Sequence, residues 1–225
     1  MKTLNEFFSK IYCINLDKRV DRYEESLIEF KKLNIDVERV SAIDGKSIFK
    51  PGLNWSAGAY GLLLTHIKLM ESVISNKYDN VLILEDDVMF NNNFNEIFNE
   101  RISALPNDWD FLYLGGNNLF HRGRFTLVNK DKNFIINSSN YYTLNYELCK
   151  TTWTQCAHAV AINSKIYNLL MQEISRNLTQ PIDVTFCGLQ NSGCNAYTFL
   201  PSLARQRASF SDIENKSVDY NSYTF

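Results

Sequence analysis

The stretch V-L-I-L-E-D-D-V, residues 81–88, places three carboxylates directly after four aliphatic residues. A short apolar run that stops at polar residues is typical of a buried strand. Moving an ionised carboxylate away from water costs free energy unless an opposite charge compensates it. Glu85, Asp86 and Asp87, the acidic triplet, therefore require a source of positive charge nearby.

The segments around this strand predict an alternation of strands and helices. Strands are expected at 11–15, 37–43, 81–84 and 111–114, and helices at 20–33 and from Ser56 to Lys77. Gly115 and Gly116 are expected to end the fourth strand. Strand–helix–strand alternation at this spacing predicts a parallel sheet with helices on both faces.

The pattern changes after about residue 120. A hairpin is expected within 125–137, a strand at 157–162, an amphipathic helix at 164–175, and a last strand at 195–200 before Pro201. No long stretch rich in Pro, Gly or Ser separates the two halves, so a single domain over residues 1–225 is predicted.

The composition is that of an ordinary globular protein, with 45% hydrophobic and 21% charged residues. A net charge of −2 without a long basic run argues against a nucleic-acid partner. No apolar run is long enough to predict a transmembrane segment, and the first residues lack the apolar core of a signal peptide. Five scattered cysteines without a C-x-x-C pair indicate free thiols in a reducing compartment, so a cytoplasmic protein is expected.

The position of the acidic triplet favours a ligand site, because ligands of open α/β sheets bind beyond the carboxyl ends of the strands. If extended geometry continues, Glu85 and Asp87 face one way and Asp86 the other. Carboxylate oxygens suit Mg²⁺ or Mn²⁺, which commonly take further ligands from phosphates. A solvated loop, a helix N-cap, a phosphate-transfer site or a nuclease site would explain the triplet equally well.

Several segments, in order along the chain, resemble glycosyltransferase family 25, which includes lipopolysaccharide and lipooligosaccharide transferases and the procollagen galactosyltransferases. These segments are I-N-L-D-K-R-V-D-R (14–22), R-V-S-A-I-D-G (39–45), G-L-L-L-T-H (61–66), L-I-L-E-D-D-V (82–88), T-W-T-Q-C-A-H-A-V-A-I-N (152–163), P-I-D (181–183) and P-S-L-A-R-Q-R-A-S-F-S-D-I (201–213). The resemblance implies a glycosyltransferase A-type α/β fold. In such a fold, helices flank a Rossmann-like, mostly parallel sheet, and a small antiparallel region is added in the second half.

The resemblance also implies roles for individual residues. The acidic triplet is similar to the metal-binding D-x-D element, with Asp87 and Glu85 as ligands of Mn²⁺, or alternatively Mg²⁺, and Asp86 as a donor contact. Further contacts to the donor nucleotide are expected from Asn15, Leu16, Arg19, Arg22, Ala42, Asp44 and His66. Arg19 and Arg22 could instead lie on the solvated face of a helix, and His66 could be structural.

Asp183 occupies the P-x-D position of the family and is the predicted catalytic base, with a helix N-cap as the alternative. The tail residues Gln206, Ser209 and Asp212 are predicted to lie near the active site. Residues 1–115 would then hold the nucleotide sugar and metal, and residues 116–225 the acceptor.

The resemblance therefore predicts a metal-dependent, inverting transfer of a hexose from a UDP-sugar to a hydroxyl group. The acceptor would be a glycan or a hydroxylated protein side chain. The alternatives are an inactive transferase-like module that binds a sugar nucleotide or glycan, and a metal-dependent phosphoesterase.

Overall fold

A computed structural model of the chain describes residues 3–48, 55–128, 135–137 and 144–219. The helices are α1 Leu4–Phe7, α2 Val20–Leu33, α3 Ala57–Ser75, α4 Phe94–Ile102, α5 Tyr167–Arg176 and α6 Ile182–Asn191. The strands are β1 Lys10–Asn15, β2 Glu38–Ser41, β3 Asn80–Glu85, β4 Val88–Phe90, β5 Phe111–Asn118, β6 Phe125–Leu127, β7 Ile135–Ile136, β8 Glu147–Thr151, β9 Thr154–Asn163, β10 Ala196–Leu200, β11 Ala204–Gln206, β12 Ser209–Ser211 and β13 Lys216–Val218.

Nine of these strands form one sheet in the order β2-β1-β3-β9-β5-β10-β8-β6-β7. Strands β1, β2, β3, β5, β6 and β10 run in one direction, and β7, β8 and β9 run in the other. The sheet is therefore mostly parallel and mixed, as the predicted fold class requires. The four strands predicted before residue 120, which are β1, β2, β3 and β5, all run in the same direction, as expected. Strand β9 from the second half lies antiparallel between β3 and β5.

The sequence V-L-I-L of β3 is apolar throughout because both faces of the sheet are covered. Leu82 and Leu84 pack into a core with side chains from α2 and α4, including Phe30 and Phe94. Val81 and Ile83 point to the opposite face, into a second core formed with α3, α5 and α6. All four aliphatic side chains are fully buried, so the acidic triplet begins directly after a strand that lies in the core.

The predicted helix boundaries are confirmed by the end structures of α2 and α3. The hydroxyl oxygen of Ser56 accepts a hydrogen bond from the backbone N–H of Ala59 at 3.2 Å, as expected of an N-cap. Helix α2 ends at Asn34, which adopts a left-handed conformation with φ of 53°. Asn is one of the few residues that tolerate this conformation at a helix end.

The prediction that Gly115 and Gly116 end the fourth strand was wrong, because β5 continues to Asn118. The lack of a side chain at Gly115 has a steric reason instead. A Cβ atom there would lie 2.4 Å from the carbonyl oxygen of Ala204 and 2.5 Å from Nε2 of His158. The glycine lets the sheet pack closely beneath the tail.

The second half follows the predicted elements. Strands β6 and β7 pair antiparallel, with Phe125 beside Ile136, as expected of the hairpin; its turn, residues 129–134, lies outside the described residues. Helix α5 and strands β9 and β10 also lie where they were predicted. Beyond them, β11 pairs with β4, and β12 pairs with β13.

The described part of the chain can be compared with the predictions about disulfides and membrane segments. All five cysteines lie within it and are free thiols. None of its helices combines the length and the apolar character needed to cross a lipid bilayer.

Candidate active site

The carboxyl ends of β1, β2 and β3 meet at one edge of the sheet, since the register places Ile14 beside Glu85 and Asn15 beside Ser41. A cleft of about 1280 Å³ opens at this edge. Nine predicted site residues line it: Asn15, Leu16, Arg22, Ala42, Asp44, Glu85, Asp86, Asp87 and Asp183. The fold therefore brings together residues from four separate segments of the chain.

The acidic triplet does not continue as a strand. Strand β3 ends at Glu85, and the chain turns before β4 begins at Val88. Both Asp86 and Asp87 consequently reach the same guanidinium group, with Nη2 of Arg22 at 2.5 Å from Asp86 and 2.7 Å from Asp87. The expectation that Asp86 faces away from Asp87 was wrong, because it assumed extended geometry across the turn.

Arg22 supplies part of the positive charge that the acidic triplet requires. Its side chain is 9% exposed, and it projects from α2 between the triplet and the tail. Its Nη1 also donates to the carbonyl oxygen of Phe210 at 3.2 Å. Arg207 adds a second positive charge near Asp87. Three carboxylates crowded at the end of β3, two of them buried, still leave the negative charge incompletely compensated.

The incompletely compensated negative charge appears in the pKa values of the acidic triplet. The pKa of Glu85 is raised to about 8, first by burial and then by the negative charge of Asp87, with the positive charge of Arg22 opposing the shift. Burial likewise raises the pKa values of Asp86 and Asp87, again against the attraction of Arg22. An additional cation close to these three carboxyl groups would stabilise their ionised forms.

Asp87 and Glu85 have the donor chemistry that the predicted Mn²⁺ or Mg²⁺ prefers. The Oδ1 atom of Asp87 is buried and has no hydrogen-bond partner among the described residues. Within those residues, no group of three His, Cys, Asp or Glu side chains is close enough together to hold a metal. The unpartnered oxygen of Asp87 and the neighbouring carboxylate of Glu85 have the chemistry to hold a divalent ion, which would take its other ligands from water and phosphate.

Asn15 connects the triplet to the loop after β1. Its Nδ2 donates to Asp86 at 2.6 Å and to the backbone oxygen of Arg19 at 2.9 Å. Its Oδ1 accepts from Nε of Arg39 at 2.9 Å. The buried amide group of Asn15 thus fixes the position of Asp86. Arg39 in turn fixes the amide group of Asn15, and the sequence analysis did not single out this arginine.

The ends of β1 and β2 form a second part of the cleft, with Leu16 and Ala42 on its wall. Lys18 pairs with Asp44 at 2.5 Å, and this ion pair lowers the pKa of the Asp44 carboxyl group. The backbone N–H of Lys46 donates to Asp44 at 3.1 Å, which fixes the turn after β2. Polar groups next to an apolar wall suit a nucleoside.

Among the residues predicted to bind the donor or the metal or to act as the base, Arg19 and His66 do not line the described part of the cleft. Arg19 forms ion pairs with Asp21, at 2.9 Å, and with Asp212, so its guanidinium ties α2 to the tail. His66 is fully buried, and its Nδ1–H donates to the carbonyl oxygen of Leu62 at 3.0 Å. Its Nε2 is also buried and has no hydrogen-bond partner among the described residues, so the role expected of His66 at the donor site stays a prediction.

The tail lies against the acidic triplet, as its sequence predicted. Strand β11 pairs with β4, and Nε2 of Gln206 lies 3.4 Å from Oδ2 of Asp87. Arg207 donates to the backbone oxygens of both aspartates, at 2.7 Å from Asp87 and 3.2 Å from Asp86. Gln206 and Asp212 line the cleft, whereas Ser209 begins β12 outside its described lining.

Asp183 lies in the first turn of α6 and lines the same cleft as the acidic triplet. Pro181 occupies the N-cap position, and no side chain caps this helix, so the alternative of an Asp183 N-cap was wrong. One oxygen of Asp183 accepts from the backbone N–H of Val184 at 2.9 Å. The carboxylate is close enough to Glu85 for its charge to help raise the pKa of that residue.

The sequence analysis assigned no role to the residues at the other end of the cleft, which we call the tryptophan end. It consists of Asn117, Arg122, Trp153, Gln155 and Cys156. Cys156 lies in a bulge of β9 and has a φ of 70°, a left-handed conformation that is uncommon for a residue with a side chain. The only sequence signal was the polar segment T-W-T-Q-C before a buried strand.

Comparison with known proteins assigns the chain to a family. The profile of glycosyltransferase family 25 (LPS biosynthesis protein) matches residues 8–183. A "Glycosyltransferase 25 family member" of Aedes aegypti is 28% identical over 163 residues, which cover 61% of this chain and 26% of that protein. "Procollagen galactosyltransferase 2" of Mus musculus is 26% identical over 162 residues, covering 63% of this chain and 26% of that protein. The aligned region is thus about a quarter of each of these relatives.

Among other similar proteins, the human "Inactive glycosyltransferase 25 family member 3" is 27% identical over 162 residues, covering 63% of this chain and 27% of that protein. The crystal structure of a galactosyltransferase, LgtC, with donor and acceptor sugar analogs overlaps with a TM-score of 0.41 at 13% identity, covering 83% of this chain and 72% of that one. This overlap is too weak to carry an argument. The profile match over most of the sequence, including the strand that carries the acidic triplet, shows that the chain belongs to glycosyltransferase family 25.

Proposed function

We propose that this protein is a metal-dependent, inverting glycosyltransferase that moves a hexose from a UDP-sugar to a hydroxyl group of a glycan or a hydroxylated protein side chain. The observation that carries the proposal is the shared cleft of the acidic triplet and Asp183. Glycosyl transfer has two chemical requirements, and the cleft offers a separate group for each. The acidic triplet attracts cations, and Asp183 is a separate carboxylate. One requirement is to support the departing diphosphate, and the other is to accept a proton from the attacking hydroxyl group.

Asp87 and Glu85 are the residues that would hold Mn²⁺ or Mg²⁺. A divalent ion at this place would stabilise the negative charge that develops on the leaving diphosphate. Asp87 offers a buried oxygen with no hydrogen-bond partner in the described structure. Arg22 and Gln206 hold the other oxygen of this carboxylate and so set its orientation.

The nucleoside would lie against the ends of β1 and β2. Leu16 and Ala42 offer an apolar wall, and Lys18 and Asp44 offer polar contacts. Asp86, held by Arg22 and Asn15, would contact a donor hydroxyl group. These contacts bind the donor equally in the ground and transition states, so they affect KM more than kcat.

Asp183 is the proposed base. Its position at the start of α6 leaves the carboxylate on the cleft wall while the backbone N–H of Val184 fixes one oxygen. The second oxygen is then available to take the proton of the acceptor hydroxyl group as that group bonds to the anomeric carbon. The acidic triplet would not serve as this base, because Asp86 and Asp87 already engage Arg22 and Glu85 would hold the metal.

A binding module without transferase activity is the second candidate, since two of the similar proteins carry the word inactive in their names. The presence of all three acids of the triplet and of Asp183 in one cleft favours the enzyme. A cytoplasmic location, expected from the scattered cysteines of the sequence, is part of the proposal.

The proposal is tested by incubating the protein with UDP-hexoses and UDP-N-acetylhexosamines, with Mn²⁺ or with a chelator. Free UDP and free phosphate are measured separately. We expect release of UDP that depends on Mn²⁺ and on one type of sugar, without release of phosphate. Phosphate release would indicate the phosphoesterase instead, and UDP binding without turnover would indicate the inactive module.

A further inference from the structure

The tryptophan end of the cleft contains three residues that have no role in the proposed donor site. Asn117 follows the central part of β5, Arg122 lies in the loop after it, and Trp153 precedes β9. All three line the cleft together with Asp183. The inference below rests on the proposed function, because it assigns this end to the acceptor.

Trp153 is held firmly in place. Its backbone N–H donates to the hydroxyl oxygen of Thr151 at 3.1 Å, and Gly123 packs directly against it. A Cβ atom at Gly123 would lie 2.6 Å from Cβ of Trp153, so only glycine fits there. The indole Nε1 is buried and has no hydrogen-bond partner in the described chain. A fixed aromatic ring with an unused N–H suits a sugar, which has an apolar face and hydroxyl groups at its edge.

Arg122 places a positive charge beside this ring. Its guanidinium carbon lies 5.8 Å from the ring centroid of Trp153. The side chain is exposed. The arginine ion pairs among the described residues involve Arg19, Arg22, Arg39, Arg101, Arg176 and Arg207, but not Arg122. In contrast to Arg19 and Arg22, which are paired with acids, Arg122 is free to bind an anionic group.

Asn117 adds an acceptor of hydrogen bonds. Its Oδ1 is buried and has no partner among the residues described. A buried amide oxygen left in this state costs free energy, and a hydroxyl group of a ligand would recover it. The tryptophan end thus offers an N–H donor, an acceptor and a positive charge around one aromatic ring.

The tryptophan end is next to the proposed base. Asp183 and Cys187 lie four residues apart on α6 and line the cleft together. The pKa of Cys187 is raised to about 12 by burial and then by Asp183, and Arg122 is close enough for its charge to oppose that shift. The guanidinium is therefore within electrostatic reach of the helix that carries the base.

We infer that the tryptophan end is an acceptor subsite for a sugar that carries an anionic group. The sugar ring packs on Trp153, its hydroxyl groups bond to Nε1 of Trp153 and Oδ1 of Asn117, and its carboxylate or phosphate group binds Arg122. The positive charge selects acidic acceptors over neutral ones, and Asp183 lies where the reactive hydroxyl group of such an acceptor would be presented.

The test compares three matched oligosaccharides by titration of the whole protein at low ionic strength. One ends in a neutral hexose, one in the corresponding uronic acid, and one in the hexose phosphate. We expect wild-type protein to bind at least one acidic oligosaccharide about fivefold more tightly than the neutral one, the size of an exposed ion pair. Whether the carboxylate or the phosphate is preferred identifies the anion.

Variants assign the effect to its residues. Arg122→Gln is expected to abolish the preference for acidic oligosaccharides, and Trp153→Leu to weaken binding of all three by about tenfold, as loss of an aromatic anchor does. Arg124→Gln is the matched control, because Arg124 is equally exposed but lies outside the described cleft lining. The control should keep the preference.

Equal binding of acidic and neutral oligosaccharides, an unchanged preference in Arg122→Gln, or no binding at all would overturn the inference. A separate UDP titration distinguishes this failure from failure of the proposed function. UDP binding without selectivity for acidic sugars contradicts only the acceptor subsite. Selectivity for acidic sugars without UDP binding contradicts the transferase and keeps the subsite.

Discussion

The two ends of the cleft hold their charges in opposite ways. At the end of β3, Asp86, Asp87 and Arg22 are almost completely buried, and each of these groups depends on the others. At the tryptophan end, Arg122 is exposed and unpaired with any described acid. A buried, crowded charge cluster is suited to fixed chemistry, whereas a sparse, accessible one is suited to selecting among ligands. Changes to the proposed base Asp183 and to the buried cluster should therefore have large effects, and changes to the exposed Arg122 small effects on affinity.

The largest effect is expected from Asp183→Asn. The asparagine keeps the size of the side chain and still offers an oxygen to the N–H of Val184, but it cannot take a proton. We expect kcat to fall roughly 10²- to 10⁴-fold, the usual contribution of a general base. The measurement is initial velocity at saturating donor and acceptor.

UDP affinity and melting temperature serve as controls for this variant. Both should change little, because Asp183 lies apart from the proposed nucleotide contacts and does not cap α6. Turnover close to that of wild type would remove Asp183 from the chemistry.

A strong effect on stability is expected from Arg22→Gln. This change leaves Asp86 and Asp87 without the guanidinium that compensates them, and removing one partner of a buried ion pair costs about 3–5 kcal/mol. The free energy of unfolding is measured by denaturant titration without metal. Mn²⁺ should restore part of the loss, because a ligand that binds only the folded state stabilises it.

Arg19→Gln is the matched comparison on the same helix. Arg19 pairs with Asp21 and Asp212 at partly exposed positions, and such pairs contribute at most about 1 kcal/mol. The structure indicates that the acidic triplet depends on Arg22. Similar losses of stability for the two arginine variants would contradict this.

The third effect is a dependence of protein stability on pH that arises from His66, which is fully buried in α3. Burial lowers the pKa of His66 from 6.5 to about 4. Between these values the unfolded chain binds more protons than the folded one, so stability is complete above pH 6.5 and falls as the pH drops towards 4. The loss should reach about 3 kcal/mol for this residue.

His66→Leu should remove this part of the acid sensitivity and leave UDP affinity unchanged. The remaining acid sensitivity should include His158, which burial affects in the same direction. A clear loss of UDP affinity in His66→Leu, with an unchanged pH profile, would restore the role that the sequence resemblance implied for this histidine.

The sequence was informative wherever a short segment determines its own structure. The apolar run of β3, the Ser56 cap of α3 and the periodicity of α2 each depend on neighbouring residues, and all were predicted. The location of the acidic triplet at a ligand-binding edge follows from the strand direction alone. These features suffice to place most of the candidate site.

The sequence was less informative where distant segments decide the geometry. The turn after Glu85 is fixed by the pairing of β4 with β11, so the shared contact of Asp86 and Asp87 with Arg22 was not predictable from alternation along a strand. The bulge at Cys156 and the setting of Trp153 arise from pairing with β5 and packing against Gly123. Such features need the assembled fold.

The central claim is that the acidic triplet binds a donor nucleotide together with a metal ion. Titration of UDP into the protein by calorimetry, with Mn²⁺ and with a chelator, tests it most directly. We predict clear binding with Mn²⁺, weak binding with chelator, and loss of the metal-dependent part in Asp87→Ala. The fold of this variant should remain intact, because Arg22 keeps its ion pair with Asp86. Equal UDP affinity with and without Mn²⁺ in the wild-type protein would contradict the claim.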